Sequence, residues 1–342
     1  MSSRKIPLTA GAMAVACSVG AALTLGALGG PAPAAARETA PDVRHTAAPQ
    51  TTTVRYGPFT IPAAGDHGHD DDHGGGHGRV RDDDHGNGTT HNRITFNIKK
   101  PCDNCFITGF KPNLVYPDGS NANVNTGPML HHAVLGTHRR SDTVCKGPQR
   151  VFASGNERME SVLPSGYGVK VKRGERWNML YDLMNHEHKE KTVYISITYT
   201  HESAAGSQLK PVTPIWMDAG GCLGSIWDAP EGVSEKTRRW RSTISGRLVH
   251  MRGHLHHGGH SVRTENLTTG KLLCKVVATE GGSPEFIDPH GRTEISDMPP
   301  CSGDPLGTIH RGDVLQVTGR YEIDGHTHDN VMGIMVGWVA KD

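Results

Sequence analysis

Aromatic residues make up only 5% of this 342-residue chain, and no stretch shows the spacing of a convincing amphipathic helix. Folds built on packed helices are therefore set aside. The chain also lacks a surplus of either charge: 36 Lys and Arg face 35 Asp and Glu, a net +1. Nothing in that balance draws it strongly to nucleic acid or to an acidic lipid surface. There is no short-period repeat. Cys102-x-x-Cys105 is not followed by a second Cys-x-x-Cys, so a zinc site of that kind is not completed and a disulfide is the simpler reading.

What is abundant is glycine, with 43 residues, and histidine, with 22. Short β-rich segments separated by Gly, Pro, Asn and Asp indicate an all-β fold. Met1 to Lys5 is a charged start, residues 6–30 are apolar and small, and Pro31-Ala-Pro-Ala-Ala-Ala36 offers an Ala-x-Ala cleavage site. Residues 1–36 thus read as a secretory signal peptide rather than a membrane span, and the protein is expected to be extracellular. A lipoprotein cut before Cys17 is the competing reading, but the residue three before that cysteine, Ala14, is a poor match. Without Cys17 six cysteines remain, which in an exported chain read as three disulfides among 15 pairings, Cys274 with Cys301 being the most local option in the second half.

The expected layout is a disordered tether at 37–53, an N-terminal domain at 54–202, a linker at 203–211 and a C-terminal domain at 212–342, the whole a monomer. Residues 65–91, rich in His, Asp and Gly, form a low-complexity solvated loop that could gather metal loosely but lacks the held geometry of catalysis.

Histidine is the commonest side-chain metal ligand, and three strand-like stretches carry it in ordered settings. Gly127 to Leu135 holds His131 and His132; adjacent residues of a regular strand face opposite ways, so both meet one ion only if the strand bulges or twists or the rings use different nitrogens. Arg176 to His188 ends in His186 and His188, of which His186 lies nearer the apolar run. Thr243 to Met251 leads into Arg252-Gly-His254-Leu-His256-His257-Gly-Gly-His260, and alternation puts His254 and His256 on one face, about 6–7 Å apart at the backbone. A last apolar strand, 329–338, brings Met332 and Met335; a thioether beside imidazoles suits copper, above all Cu(I), better than zinc. His326 and His328 precede it.

The order His-His, lone His, His-x-His, Met resembles the copper type II, ascorbate-dependent monooxygenases, the family of peptidylglycine α-hydroxylating monooxygenase and dopamine β-monooxygenase. The likeness runs from about residue 94 to the end and is best at 129–135, 244–259 and 329–338. The resemblance implies two jelly-roll-like β-sandwich domains in tandem, each holding one copper. It implies His131, His132 and His186 on an electron-delivering ion, and His254, His256 and Met332 on the ion where O2 and substrate meet, with ascorbate or another one-electron reductant. Met332 stands at the family's ligand position; Met335, three residues on, would then face the core. Two departures matter. Gly333 replaces a family cysteine. Of the family's clamp for a substrate carboxylate, Arg252 is present but the tyrosine position is Val336, which puts a peptide C-terminus in doubt as substrate. Two readings follow: a secreted dicopper monooxygenase hydroxylating a C–H bond in a small molecule or peptide, or a secreted copper-binding or copper-buffering protein of the same fold without turnover.

Overall fold

The computed structural model describes residues 48–65 and 88–342, all within one compact unit, Arg44–Asp342. The expected signal peptide and most of the His/Asp-rich stretch lie outside the described residues. The described chain is almost entirely β, as expected, with several sheets in a sandwich-like arrangement and two three-residue helical turns, Val124–Thr126 and Pro284–Phe286. None of its helices is long and apolar enough to cross a membrane.

The central feature is a nine-stranded sheet shared by both halves of the sequence. Gln50–Ile61, Lys191–Ser203, Cys105–Val115 and Tyr167–Val171 come from the first half; Lys210–Asp218, Gly333–Lys341, Gly246–Leu255 and Cys301–Ile309 follow from the second, in that order, with Ser161–Val162 on the Cys105–Val115 strand. The junction is the parallel pairing of Lys210–Val212 with Tyr167–Val169. Residues 204–209 are the whole connection between the strands on either side of them.

A five-stranded sheet, in which Trp177–Asn185 and Pro148–Gly155 flank Pro128–Ser141, packs on one face of this shared sheet. A four-stranded sheet of Gly232–Arg241, Val314–Ile323, Gly259–Asn266 and Lys271–Val277 packs on the other. Because side chains alternate along a strand, the second-half strands of the shared sheet feed two cores. Trp216, Val336 and Trp338 enter the first, with Leu135, Phe152 and Trp177. Ile215, Met217, Met335 and Val339 enter the second, with Val262, Leu315 and Tyr321. Burial on both faces explains why 333–340 reads as a continuous apolar run rather than an alternating one.

The six remaining cysteines pair as Cys102–Cys105, Cys145–Cys222 and Cys274–Cys301. Three disulfides fit an oxidising, extracellular setting. Cys145–Cys222 ties together segments 77 residues apart, one from each half.

Candidate metal centre

The Pro128–Ser141 strand carries His131 and His132 against Trp177–Asn185, and its register slips between Leu130 and His132. His131 is therefore the extra residue of a β-bulge. A bulge opposes two residues to one and re-aims their side chains, and here it brings adjacent imidazoles to one place, ring centroids 5.0 Å apart. The rings are held differently. His131 Nδ1 lies 3.6 Å from Asp182 Oδ2. His132 uses Nε2, which meets Asn92 Oδ1 at 2.7 Å.

The Gly246–Leu255 strand needs no bulge at its histidines. From His250 to Gly333's partner Leu255 its register with Gly333–Lys341 is unbroken. Met251 and Leu255 enter the second core, so the even-numbered residues face the five-stranded sheet. His250 lies against Trp338, Arg252 over Phe152, and His254 over the backbone of Gly155. A Cβ at Gly155 would collide with the His254 ring and with Glu157, so glycine is required by this close approach. Parity thus carries His254 and His256 to the bulged strand: His254 and His256 have centroids 5.4 Å apart, and His256 and His131 4.5 Å.

Four imidazoles from two sheets therefore form one cluster. Two imidazoles sharing an ion at the usual ~2.0–2.1 Å metal–nitrogen distance have centroids roughly 5 Å apart, and the three observed separations bracket that value. His254 Nδ1 lies 3.4 Å from Glu157 Oε2, while its Nε2 is buried without a hydrogen-bond partner. The same holds for His132 Nδ1 and His256 Nε2. One ring nitrogen secured by a polar group and the other left bare in the interior is how metal-binding histidines are held. Burial first, then neighbouring His131, pushes His132 down to about 3; burial and the same neighbours hold His256 well below the ordinary imidazole range. Both are neutral, the state a metal needs. Burial would raise Glu157, but His254 and Arg252 outweigh it and hold it at about 2. Asp182 is likewise held low against its burial by His131 and His132. Among the described residues no three His, Cys, Asp or Glu side chains already converge on one metal position. The donor types and their bare nitrogens fit copper, and binding requires the rings to turn.

His186, Met332 and Arg252 take distinct places around the four. His186 joins His131, His254 and His256 in the wall of a cavity of about 290 Å³, its Nδ1 3.9 Å from Asp288 Oδ2. Met332 lines a smaller cleft of about 110 Å³ with His132, His254, Arg252 and Val336. His254 thus stands between the two spaces. Met335 is fully buried in the second core, as parity required. Arg252, expected to meet a substrate carboxylate, is bound to a carboxylate of the chain itself: its guanidinium donates to Glu157 Oε1 at 3.2 Å and to Ser161 Oγ at 3.3 Å. The resemblance divides six ligands three and three between two ions; the structure gathers four of the imidazoles into a single group.

Glu157, Asp182, Asp288 and Asn92 were not anticipated from the sequence. Asp182 had a visible signal, a lone carboxylate in the apolar run Asn178 to Asn185. Glu157, Asp288 and Asn92 sit in connecting segments with no such contrast.

No family model matches the chain. It is 26% identical over 272 residues to a protein of Phoma sp. (strain ATCC 20986 / MF5453) named "Probable copper-dependent oxygenase M1", covering 73% of this chain and 67% of that one. It is 26% identical over 255 residues to "Probable copper-dependent oxygenase clz3" of Cochliobolus lunatus, covering 67% of this chain and 77% of that one. Among solved structures, the STIV MCP covers 85% of this chain and 97% of its own at 12% identity, with a TM-score of 0.31, too low to argue from. The chain is thus similar in sequence to proteins named as copper-dependent oxygenases, and its clustered imidazoles are of the donor type such a metal takes.

Proposed function

We propose that the protein is a secreted copper monooxygenase that hydroxylates a C–H bond in a small, largely apolar molecule, using O2 and ascorbate or another one-electron reductant. The observation that carries this reading is the four-imidazole cluster with bare inward nitrogens on His132, His254 and His256. His131, His132, His186, His254, His256 and Met332 would hold two copper ions. When bound, copper supplies the one-electron chemistry by which O2 is reduced and one oxygen atom is inserted into the substrate.

The protein's own contribution is to hold and to exclude. Glu157, Asp182, Asp288 and Asn92 fix the ring orientations from outside. Met332 adds a soft, neutral donor that favours the reduced ion. The cleft beside Met332 and His254 suits an apolar group. Val134, Ala153, Leu180, Trp216, Ile334 and Val336 line it. Its two cations are already paired, Arg252 with Glu157 and Arg150 with Asp142. A substrate carboxylate would therefore have to displace an internal ion pair, whereas an apolar group would not. At about 110 Å³ the cleft takes a group somewhat smaller than the benzene that fills a ~150 Å³ apolar cavity.

The test is ascorbate-driven O2 uptake by the copper-loaded protein with small apolar substrates and, in parallel, with peptide acids. Uptake coupled to hydroxylation of the apolar compounds is expected. Tight binding of copper with no coupled uptake for any compound would leave the copper-buffering reading instead. Removing residues 66–87 should leave about two tightly bound copper ions; loss of tight binding on that deletion would move the site to the deleted stretch.

A further inference from the structure

Beside the buried cluster lies a second group of histidines. His257 follows His256 directly and turns outward at Gly258, whose φ of +77° is a left-handed conformation that glycine allows. His257 Nδ1 lies 2.9 Å from Glu280 Oε2. Glu280 is itself fixed, accepting from the Gly258 N–H at 2.7 Å and from Thr293 Oγ1 at 3.1 Å. The His328 ring stacks on His257 with centroids 5.3 Å apart, and His326 lies 5.5 Å beyond His328. A Cβ at Gly258 would press on the His328 ring at 2.9–3.0 Å, so the glycine also makes room for this imidazole.

The position of this group is what gives it meaning. His257 and His328 line the cavity that holds His131, His186, His254 and His256. They also line an adjoining, more open space of about 370 Å³ bounded by His260, Glu280, Glu322 and Asp324. The same two imidazoles therefore form part of the wall of both spaces.

We propose that His257, His328 and Glu280, with His326 at the exposed end, form a metal-entry site that takes a cupric ion from solution and passes it to the buried cluster. This rests on reading the buried imidazoles as copper ligands. The donor types fit the task, and His257, His328 and Glu280, like the buried rings, must turn to meet one ion. Two imidazoles and a carboxylate suit Cu(II), while the buried imidazoles with a thioether suit Cu(I). A transfer site must also release its ion, and this group is more open and has fewer donors than the buried one. At the outer space Glu322 is paired with Arg320, while Glu280 and Asp324 add an attractive field for a cation.

The experiment uses the full metal-free chain and Cu(II), with uptake followed by stopped-flow tryptophan quenching and stoichiometry by equilibrium titration. In His257→Ala/His328→Ala the number and affinity of tightly bound ions should be unchanged, while uptake at low copper slows by about tenfold or more as the local concentration is lost. Glu280→Gln should slow it in the same direction. Unchanged rates overturn the proposal. So does a loss of tight stoichiometry, because the two rings would then be ligands of the inner site. A second arm separates this proposal from the first. In His131→Ala/His256→Ala, a weaker Cu(II) signal with nitrogen couplings should persist in electron paramagnetic resonance and lose a distinct component when His257→Ala/His328→Ala is added. If the unmutated chain binds no copper tightly, the buried-cluster reading fails on its own. If this signal does not depend on His257 and His328, the entry site fails on its own.

Discussion

The Pro128–Ser141 strand, and the Gly246–Leu255 strand with the residue that follows it, each bring two histidines into the same cluster, by different backbone means. The first presents adjacent residues and needs a bulge at His131 to aim both rings inward, one secured through Nδ1 and the other through Nε2. The second presents residues two apart, His254 within the strand and His256 one residue past its end, and needs no bulge between them. Their supports differ too. Asp182, beside His131, accepts from Thr89 Oγ1 and Thr90 Oγ1 at 3.0 and 3.1 Å, all neutral donors. Glu157, beside His254, is shared with the buried guanidinium of Arg252. The bulged pair is anchored by hydrogen bonds; in the regular pair His254 is anchored by charge.

That difference predicts unequal costs. Glu157→Ala strands Arg252, which is 3% exposed, as an uncompensated buried charge, and breaking such a pair costs about 3–5 kcal/mol. Asp182→Ala leaves hydroxyls and one imidazole without their acceptor, a cost of about 1–3 kcal/mol. Urea unfolding of the two metal-free variants should rank them in that order. The double variant Glu157→Ala/Arg252→Met should recover part of the Glu157 loss, since it removes the stranded charge. Equal losses would mean that charge does not distinguish the two supports.

Acid should weaken both strands. Burial, and then Arg252, pushes His250 down to about 4, and His132 lies at about 3. Unfolded histidine titrates near 6.5. Between these values the unfolded chain binds more protons than the folded one, so stability rises with pH. The contribution is complete above about pH 6.5 and is lost as pH falls towards 4 for His250 and 3 for His132. At about 1.4 kcal/mol per pH unit, His250 alone accounts for about 3 kcal/mol of this fall. The urea midpoint of the metal-free protein, followed from pH 7 to 4, should drop steadily. His250→Leu should flatten the curve, and a variant with the parent's slope would show that His250 does not set it.

Much of this site was legible in the sequence because strand parity is a local property. His254 with His256, and Met332 opposed to Met335, follow from counting residues along a strand. The need for a bulge or unlike ring nitrogens at His131-His132 was equally local, and the structure shows both. Merging the two pairs into one cluster was not legible. It depends on a sheet shared across the chain through the pairing of Tyr167–Val169 with Lys210–Val212, and no local pattern records that contact. Glu157 and Asp288 were hidden for the same reason, since each meets its histidine only across about 100 residues of sequence. The disulfide Cys145–Cys222 likewise joins the halves, whereas spacing had favoured only Cys274–Cys301.

The smallest expected structural effect separates copper chemistry from generic histidine binding. Met332 and Met335 lie three residues apart on opposite faces of the same strand region, one beside His254 and the other in the second core. Methionine to isoleucine changes apolar volume little, and such swaps usually cost under about 1.5 kcal/mol. Both Met332→Ile and Met335→Ile should therefore fold, with Met335→Ile the less stable because its side chain is fully buried. Copper should rank them the other way. A thioether matters more for Cu(I) than for Cu(II), so Met332→Ile should keep Cu(II) at the imidazoles but lose Cu(I) affinity and O2-dependent turnover. Met335→Ile should keep both. Competition titration with a Cu(I) chelator on the two variants decides the matter. If they behave alike, Met332 is not a ligand, and the cluster is a set of imidazoles that zinc would fill as well as copper.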